Sequence, residues 1–454
     1  MKRDMTSGNV TVSLLYFVIP LTVGNLLQQL YSVVDTYIVG RYVGGMALSA
    51  VGSVSNLIFI FNAIVLGLKA GISVTCSESY GRGDEDDFNI IRTVGLFLLI
   101  ISGTICTLIG VFGARDLMNL IRVPGEIFGD AYGYFRIIFL GYPFVFLFNY
   151  GISIAQSRGD SNITFIALLS STICNIILDL VLICRFGFGV NGAAIATVIS
   201  QGLSMIIVFT NLAINVPRKK IALKGKIVAN KFIDILKVSL PSILQQGILS
   251  LGIVAISALI NQCGTAMIAG VAIGGKIDGI ISMPIVTLAE ALAVFTAQNI
   301  GAGKPERIEQ GINAAMALSG VLVVILAIFT YFYGIDVIEL FLEEYDEAIV
   351  TEGMNYMVSL IVMLVFMIPF RCFIGMFTGK KEMQYVLLAF TLNIISRVLF
   401  AYGTFPYLQK WAIYIANPLS VFVGGTAIVT VYILQKTNRR TQKWDIQQYL
   451  QQEH

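Results

Sequence analysis

The chain has 454 residues, of which 56% are hydrophobic and only 13% charged, against about 25% charged in an average soluble protein. Repeated apolar runs of about 20 residues make it a polytopic all-α membrane protein, and transmembrane β-strands, which are shorter and alternate in polarity, are excluded. The net charge of +3 says little until the positions of the Lys and Arg residues are considered.

In chain order the spans fall at 12–38, 46–76, 93–113, 128–154, 163–184, 191–214, 239–261, 266–297, 311–333, 354–377, 384–405 and 412–435, twelve in all. The polar start runs into a span containing Pro20 with no small-residue cleavage pattern, so the first span is read as retained. The connections alternate in charge. One set, with both termini, holds twenty Lys and Arg, seven of them in the run from Arg218 to Lys237, and the opposite set holds five. The positive-inside rule places both termini in the cytoplasm, in agreement with an even span count; the plasma (inner) membrane is the expected location. The acidic stretch 336–352, with seven acids and no base, falls outside.

The basic connection 216–238 divides the chain into repeats. Gly81-Arg82-Gly83 matches Gly301-Ala302-Gly303 at an offset of 220 residues, Gly133 matches Gly353 at the same offset, and Pro20 pairs with Pro241 at 221. The expected organisation is an N-lobe at 1–215, an inter-lobe loop at 216–238, a C-lobe at 239–435 and a cytoplasmic tail at 436–454. Six spans per half give two pseudo-symmetric six-helix lobes with one orientation, around a central cleft that can rock between two openings. Five prolines inside spans (Pro20, Pro143, Pro241, Pro284 and Pro369) mark kinks.

Several chemistries are unsupported. The one His is His454, which removes His-based metal sites and triads, and the six cysteines show no CxxC spacing and read as packing residues. Tyr80-Gly81-Arg82-Gly83 lacks the ending of a phosphate-binding loop, so transport powered by ATP within this chain is not expected. No nucleophile–base spacing points to an enzyme, no filter-like loop recurs in both halves as in a channel, and no cofactor, nucleic acid or obligatory protein partner is expected.

Acids inside the spans carry the functional reading. Asn175 and Asp179 are four apart in an otherwise apolar run, one turn above each other on one helix face. A carboxylate there costs about 2.5–3.5 kcal/mol on insertion scales. Asp35 lies deep in the first span with Tyr31 one turn before it, and Thr197 lies in the small-residue sixth span. If spans one, five and six adjoin, Asp35, Asn175, Asp179 and Thr197 form a hard-oxygen cage suited to Na⁺. Alternatively, two carboxylates close together out of water favour sharing one proton, making H⁺ the coupling ion. The structural reading is an internal hydrogen-bond anchor between helices. At the equivalent positions of the second half stand Asn393 and Arg397, so the halves differ in buried charge. That half also holds Lys276, Asp278, Glu290 and Arg371; Glu290 is a candidate cleft-facing attractor of cations, and Asp278 or Glu290 is alternatively neutralised by Arg397 or Lys276. The aromatic and Met residues, Phe139, Tyr142, Phe144, Phe146, Phe148, Met283, Met363 and Met367, suit either a plastic cavity or plain packing.

Over essentially its whole length the chain resembles the multidrug and toxic compound extrusion (MATE) transporters. The resemblance rests on the two six-span lobes, the long basic connection, Pro20…Gln28-Gln29…Asp35, the two glycine loops, and Asn175-x-x-x-Asp179 with Thr197. It implies a secondary antiporter that exchanges inward Na⁺ or H⁺ for outward organic cations and drugs across the bilayer. The residues are closer to the DinF-like branch, for which the resemblance implies coupling-ion binding at Asp35, Asn175, Asp179 and Thr197, and bending of the first helix at Pro20. Gln245, Gln246 and Arg371 depart from the NorM-like branch, which depends on second-lobe acids; Tyr31, Glu290, Asp278 and Arg397 remain as a substrate or second-lobe charge site. The alternative is a lipid-linked precursor flippase of the wider superfamily, for which Arg371, Arg397 and Lys276 would serve as cations.

Overall fold

A computed structural model describes residues 4–216, 225–342 and 344–452. Lys2, Arg3, the start of the basic run through Lys224, Glu343 and His454 lie outside the described residues.

The described chain is a succession of helices: α1 (Val10–Tyr42), α2 (Gly45–Arg82), α3 (Glu85–Phe112), α4 (Ala114–Leu120), α5 (Gly125–Leu140), α6 (Tyr142–Ser157), α7 (Asn162–Asp179) followed by a π-helical turn (Leu180–Arg185), α8 (Gly189–Asn215), α9 (Gly225–Ile260), α10 (Thr265–Ile281), α11 (Met283–Gly301), α12 (Glu306–Glu339), α13 (Glu347–Gly379), α14 (Met383–Leu408) and α15 (Lys410–Gln452). Among the described residues eleven segments are long and apolar enough to cross a membrane, and twelve if α5 with α6 is one bent span. Polar side chains start several helices where the first turn lacks partners for its N–H groups. Asn9 accepts from Val12 N, Asp84 from Asp87 N, and Asp346 from Ala348 N and Ile349 N.

Two spans break beside prolines that the sequence marks as kinks, and one stretch differs from the sequence expectation. The fourth span bends by 42° between Leu140 and Tyr142. Pro143 sits in the first turn of α6, where its missing N–H costs nothing, and Gly141 at the elbow leaves no room for a Cβ beside Val198. The eighth span is broken at Ser282, one residue before the turn that holds Pro284. Residues 225–238, expected as loop from their lysines, form the first turns of α9. Ile235 and Val238 are fully buried there, while Lys231 reaches out to Asp87 at 2.5 Å, so one face packs and the other is charged.

Two compact units emerge. The first comprises Met1–Gly247 with Val294–Gly311, the second Ile248–Ala293 with Ile312–His454. In the first unit the core centres on an aromatic column: Phe139 stacks on Tyr142 with ring centroids 4.2 Å apart, and Phe135 and Phe61 lie 4.4 and 4.7 Å from Phe139. Tyr142 donates its hydroxyl to Ile58 O or Asn62 Oδ1, both at 3.2 Å. Phe139, Tyr142, Phe146, Phe148, Met363 and Met367 are buried, while Phe144 and Met283 are half-buried.

The second unit has its own small core of Ile256, Leu259, Met267, Ile413 and Tyr414. Beside it, Glu352 pairs with Lys410 Nζ at 2.5 Å and accepts from Tyr414 Oη at 2.6 Å, which ties the start of α13 to α15. None of the six cysteines, all among the described residues, is in a disulfide.

Candidate functional site in the first unit

Helices α1 and α7 run side by side in parallel, and their register can be followed from the bottom up. A Cβ on Gly24 of α1 would lie 3.0 Å from Leu168 Cδ1 and 3.3 Å from Phe165 Cα, so glycine permits the close approach. Eleven residues further along each helix, three turns on, come Asp35 and Asp179. Equal steps on parallel helices bring those two side chains to the same level, and their carboxyl groups lie within hydrogen-bonding reach of each other.

Helix α8 completes the arrangement from the other direction. Ser204 Oγ donates to Ala167 O at 3.1 Å, and Ser171 Oγ donates to Ser200 O at 3.0 Å, so α7 and α8 are antiparallel and descend together in steps of four. The next step brings Asn175 level with Ala196 and Thr197, the one buried and the other half-buried. Gly192 then meets Leu182 and Ile183 in the π-helical turn. The condition set by the sequence, that spans one, five and six adjoin, is met: α1 packs on α7, and α8 touches both.

The polar atoms at this level have few protein partners. Asp179 is fully buried and Asn175 nearly so, and both carboxyl oxygens of Asp179, both amide atoms of Asn175 and Oδ1 of Asp35 are buried without a conventional hydrogen bond. The reach between Asp35 and Asp179 becomes a bond only when one of the two carries a proton, because two carboxylates have no donor between them. Leaving a buried polar atom unpaired costs about 1–3 kcal/mol, so five such atoms at one place are not a packing accident. The donor set is all oxygen apart from the Asn175 amide nitrogen, and hard. It fits Na⁺ or a shared proton. Among the described residues no group of three His, Cys, Asp or Glu side chains converges, so a bound ion would draw on the neutral oxygen of Asn175 in addition to the two acids.

Two tyrosines border the carboxylates. Tyr31, one turn before Asp35, is in electrostatic range of Asp35 and Asp179, so it belongs with the first-unit acids. Tyr134 of α5, buried, is in range of the same two acids and of Tyr31. The sequence reading missed Tyr134: it stands among aromatic residues in an apolar helix, and only the packing of α5 brings it here. A π-helical turn begins directly after Asp179, a local widening that recurs at functional positions. Pro20 lies inside α1, where its ring cannot donate to the preceding turn, and α1 continues as helix on both sides of it.

The close approach at Gly24 gives a direct test. Gly24→Leu is expected to push α1 off α7 and spread Asp35 from Asp179. A shift of about 1 Å at such a centre costs on the order of 100-fold. Export measured in cells should fall by that order while gel filtration of the purified variant still shows a folded protein.

In the second unit the charged residues assort differently. Asp278 accepts from Ser282 Oγ and lies in electrostatic range of Arg397 and Arg371. Arg371 lies over the ring of Phe390 at 5.5 Å, and Lys276 over that of Phe341 at 5.9 Å. Asp278 thus has two guanidinium groups in electrostatic range, while Lys276 stands over an aromatic ring. Glu290 is exposed on α11 and in range of Arg371. Asn393, the counterpart of Asn175, donates to Ser420 Oγ at 3.5 Å. The same helix position is thus paired in the second unit and unpaired in the first.

The MatE family model matches the chain twice, at residues 20–181 and 241–403, with starts 221 residues apart, the spacing between Pro20 and Pro241. The chain is 27% identical over 356 residues to the probable multidrug resistance protein YoeA of Bacillus subtilis, covering 76% of each chain. It is 26% identical over 439 residues to the multidrug export protein MepA of Staphylococcus aureus, covering 93% of this chain and 94% of that one. An outward-facing multidrug resistance MATE family transporter superposes with a TM-score of 0.88 at 22% identity, over 97% of this chain and 98% of that chain.

Proposed function

The chain belongs to the MatE family of membrane transporters, and from that premise we propose that it is a secondary antiporter of the DinF-like kind, exporting small cationic amphipathic compounds in exchange for Na⁺ or H⁺. Family membership makes it a transporter rather than an enzyme, and one that needs no cofactor. The relatives bear the names of multidrug resistance and export proteins. The reading rests above all on one observation: Asp35 and Asp179 face each other within bilayer-spanning helices, with Asn175 beside them lacking any partner of its own.

In this proposal the coupling ion binds among Asp35, Asn175, Asp179 and Thr197, and Tyr31 and Tyr134 border it. Ion and cargo oppose each other because each favours a different conformation, and each shifts the balance only by its differential affinity for the two. Pro20 is the hinge through which α1 responds. The N-lobe runs to residue 215 and the C-lobe from 239 to 435, and both termini face the cytoplasm. The twenty Lys and Arg on one set of connections support that orientation. Asp278 and Arg397 neutralise each other in the second unit and take no direct part, while exposed Glu290 attracts cationic cargo.

One observation favours a second reading, a lipid-linked precursor flippase. Nε of Arg371 and Nε of Arg397 are buried without hydrogen-bond partners, and two such guanidinium groups suit a diphosphate. Purified protein in liposomes separates the readings. Dye efflux driven by an imposed Na⁺ or pH gradient is expected with one gradient and not the other, which names the ion. Absence of dye movement under both, with complementation of a flippase-deficient strain, would establish the second reading instead.

A further inference from the structure

Two glycines at equivalent places in the repeats meet the same partner in each other's helix. Gly81 stands at the end of α2 and Gly301 at the end of α11, each followed two residues later by a left-handed glycine, Gly83 at φ +75° and Gly303 at φ +69°. A Cβ on Gly81 would run into the carbonyl oxygen of Gln298, and one on Gly301 into the carbonyl oxygen of Glu78. Gln298 lies 220 residues after Glu78, as Gly301 does after Gly81. The contact is therefore reciprocal, as at a two-fold interface, and backbone meets backbone with no side chain between.

Beside this crossing the start of the chain is tied to the end of α11. Residues 5–8 offer their carbonyls one after another. Asn299 Nδ2 donates to Met5 O at 3.1 Å, Lys304 Nζ to Thr6 O at 2.8 Å, and Arg307 to Ser7 O at 3.2 Å and to Gly8 O at 3.1 Å. Arg307 Nε also donates to Asn299 Oδ1 at 3.1 Å, which fixes the guanidinium. Asp4 shapes the turn by accepting from Thr6 N at 2.8 Å. Met5, Gln298 and Asn299 are buried, and Gln298 Nε2 donates to Ser157 O at 2.8 Å, so parting the crossing would strand buried amides. The strap leads without interruption into Asn9, the cap of α1, and α1 carries Asp35.

We propose that the Gly81–Gly301 crossing and the strap formed by residues 5–8 are a cytoplasmic latch, and that α1 draws it. Movement of α1 on ion binding is transmitted through Asn9 to the strap. Release of its carbonyls from Arg307, Lys304 and Asn299 frees the end of α11 and lets α2 and α11 part. The latch rests on the antiport reading for its role and orientation, but its closure can be measured without substrate or ion.

The test uses the full-length protein with its six cysteines replaced by serine and Ser157→Cys as reporter, in membranes exposed to a membrane-impermeant maleimide from the cytoplasmic face. Ser157 is fully buried beside Gln298, so labelling in this parent should be slow. Arg307→Ala removes charged hydrogen bonds to three strap carbonyls, those of Met5, Ser7 and Gly8, and to Asn299. It should speed labelling on the order of tenfold, as should Gly301→Ala. Unchanged labelling in both variants, with gel filtration showing each to be monodisperse, would overturn the latch. Should Gly301→Ala fail to accumulate, Lys304→Ala replaces it, with a smaller acceleration expected and the same overturning result. If the cysteine-containing wild type moves no dye under either gradient, the antiport reading fails, whereas faster labelling in the variants still establishes the closure.

Discussion

Asp35→Asn and Asp179→Asn are each expected to reduce drug export by about two orders of magnitude, the upper range of a coupling free energy between two ligands. Asparagine keeps the volume and loses the charge, so the helices still pack. A cation at this level would retain one formal charge in place of two, and a proton could no longer be shared between carboxyl groups. Measured as survival against a cationic dye and as dye efflux from cells, both variants should behave like cells without the transporter. Their amounts in the membrane should be near normal, because removing a carboxylate from the bilayer interior does not cost insertion energy. Normal export by both would show that the pair is a structural anchor. Asn175→Ala provides a graded companion, with weakened ion dependence and export retained in part.

Gly110→Ala is expected to have the largest effect on folding for the smallest change of side chain. A Cβ at Gly110 would overlap Cγ and Cδ1 of Phe139. Phe139 cannot swing aside: it is fully buried, stacked on Tyr142 on one side and held by Phe135 and Phe61 on others. The overlapped atoms are also near the root of the ring, so relief requires moving the helix. Overpacking of this kind costs about 1–3 kcal/mol or more, a large part of a typical folding free energy of about 5–15 kcal/mol. The thermal midpoint of the purified protein should fall by several degrees. Gly110→Leu should not accumulate. A neighbouring control is Gly129→Ala, where no atom lies within 4 Å of the added Cβ and the midpoint should hold.

How far the site could be read ahead depended on the kind of evidence each residue left in the chain. Asn175 and Asp179 announced themselves because a carboxylate is rare in a bilayer-spanning run and four-residue spacing shares a face. Asp35 did so for the same reason. Tyr134 left no such trace, since tyrosine is ordinary in an apolar helix. The second unit shows the same divide. Asp278 and Arg397 were visible as charges, but whether Asp278 turns to Arg397 or to Lys276 depends on rotamers and helix rotation. Lys276 lies instead over Phe341. The bend between α5 and α6 was foreshadowed by Pro143, whereas the need for glycine at 141 comes from Val198 on a different helix.

By itself the sequence determined what hydropathy and repetition can carry: an all-helical membrane chain, twelve apolar segments, an internal offset of about 220 residues, and acids too costly to be idle. Those properties are local or periodic, and the bilayer enforces them residue by residue. Only the tertiary structure decided which of the buried polar residues meet. The pairing of Asp35 with Asp179 follows from the parallel register of α1 and α7 set at Gly24. The level of Asn175 with Thr197 follows from the antiparallel register of α7 and α8 set by two serines, and the strap on α11 from hydrogen bonds spanning nearly 300 residues of chain. Register between helices depends on close packing of particular side chains and glycines, which no periodicity within a single helix records.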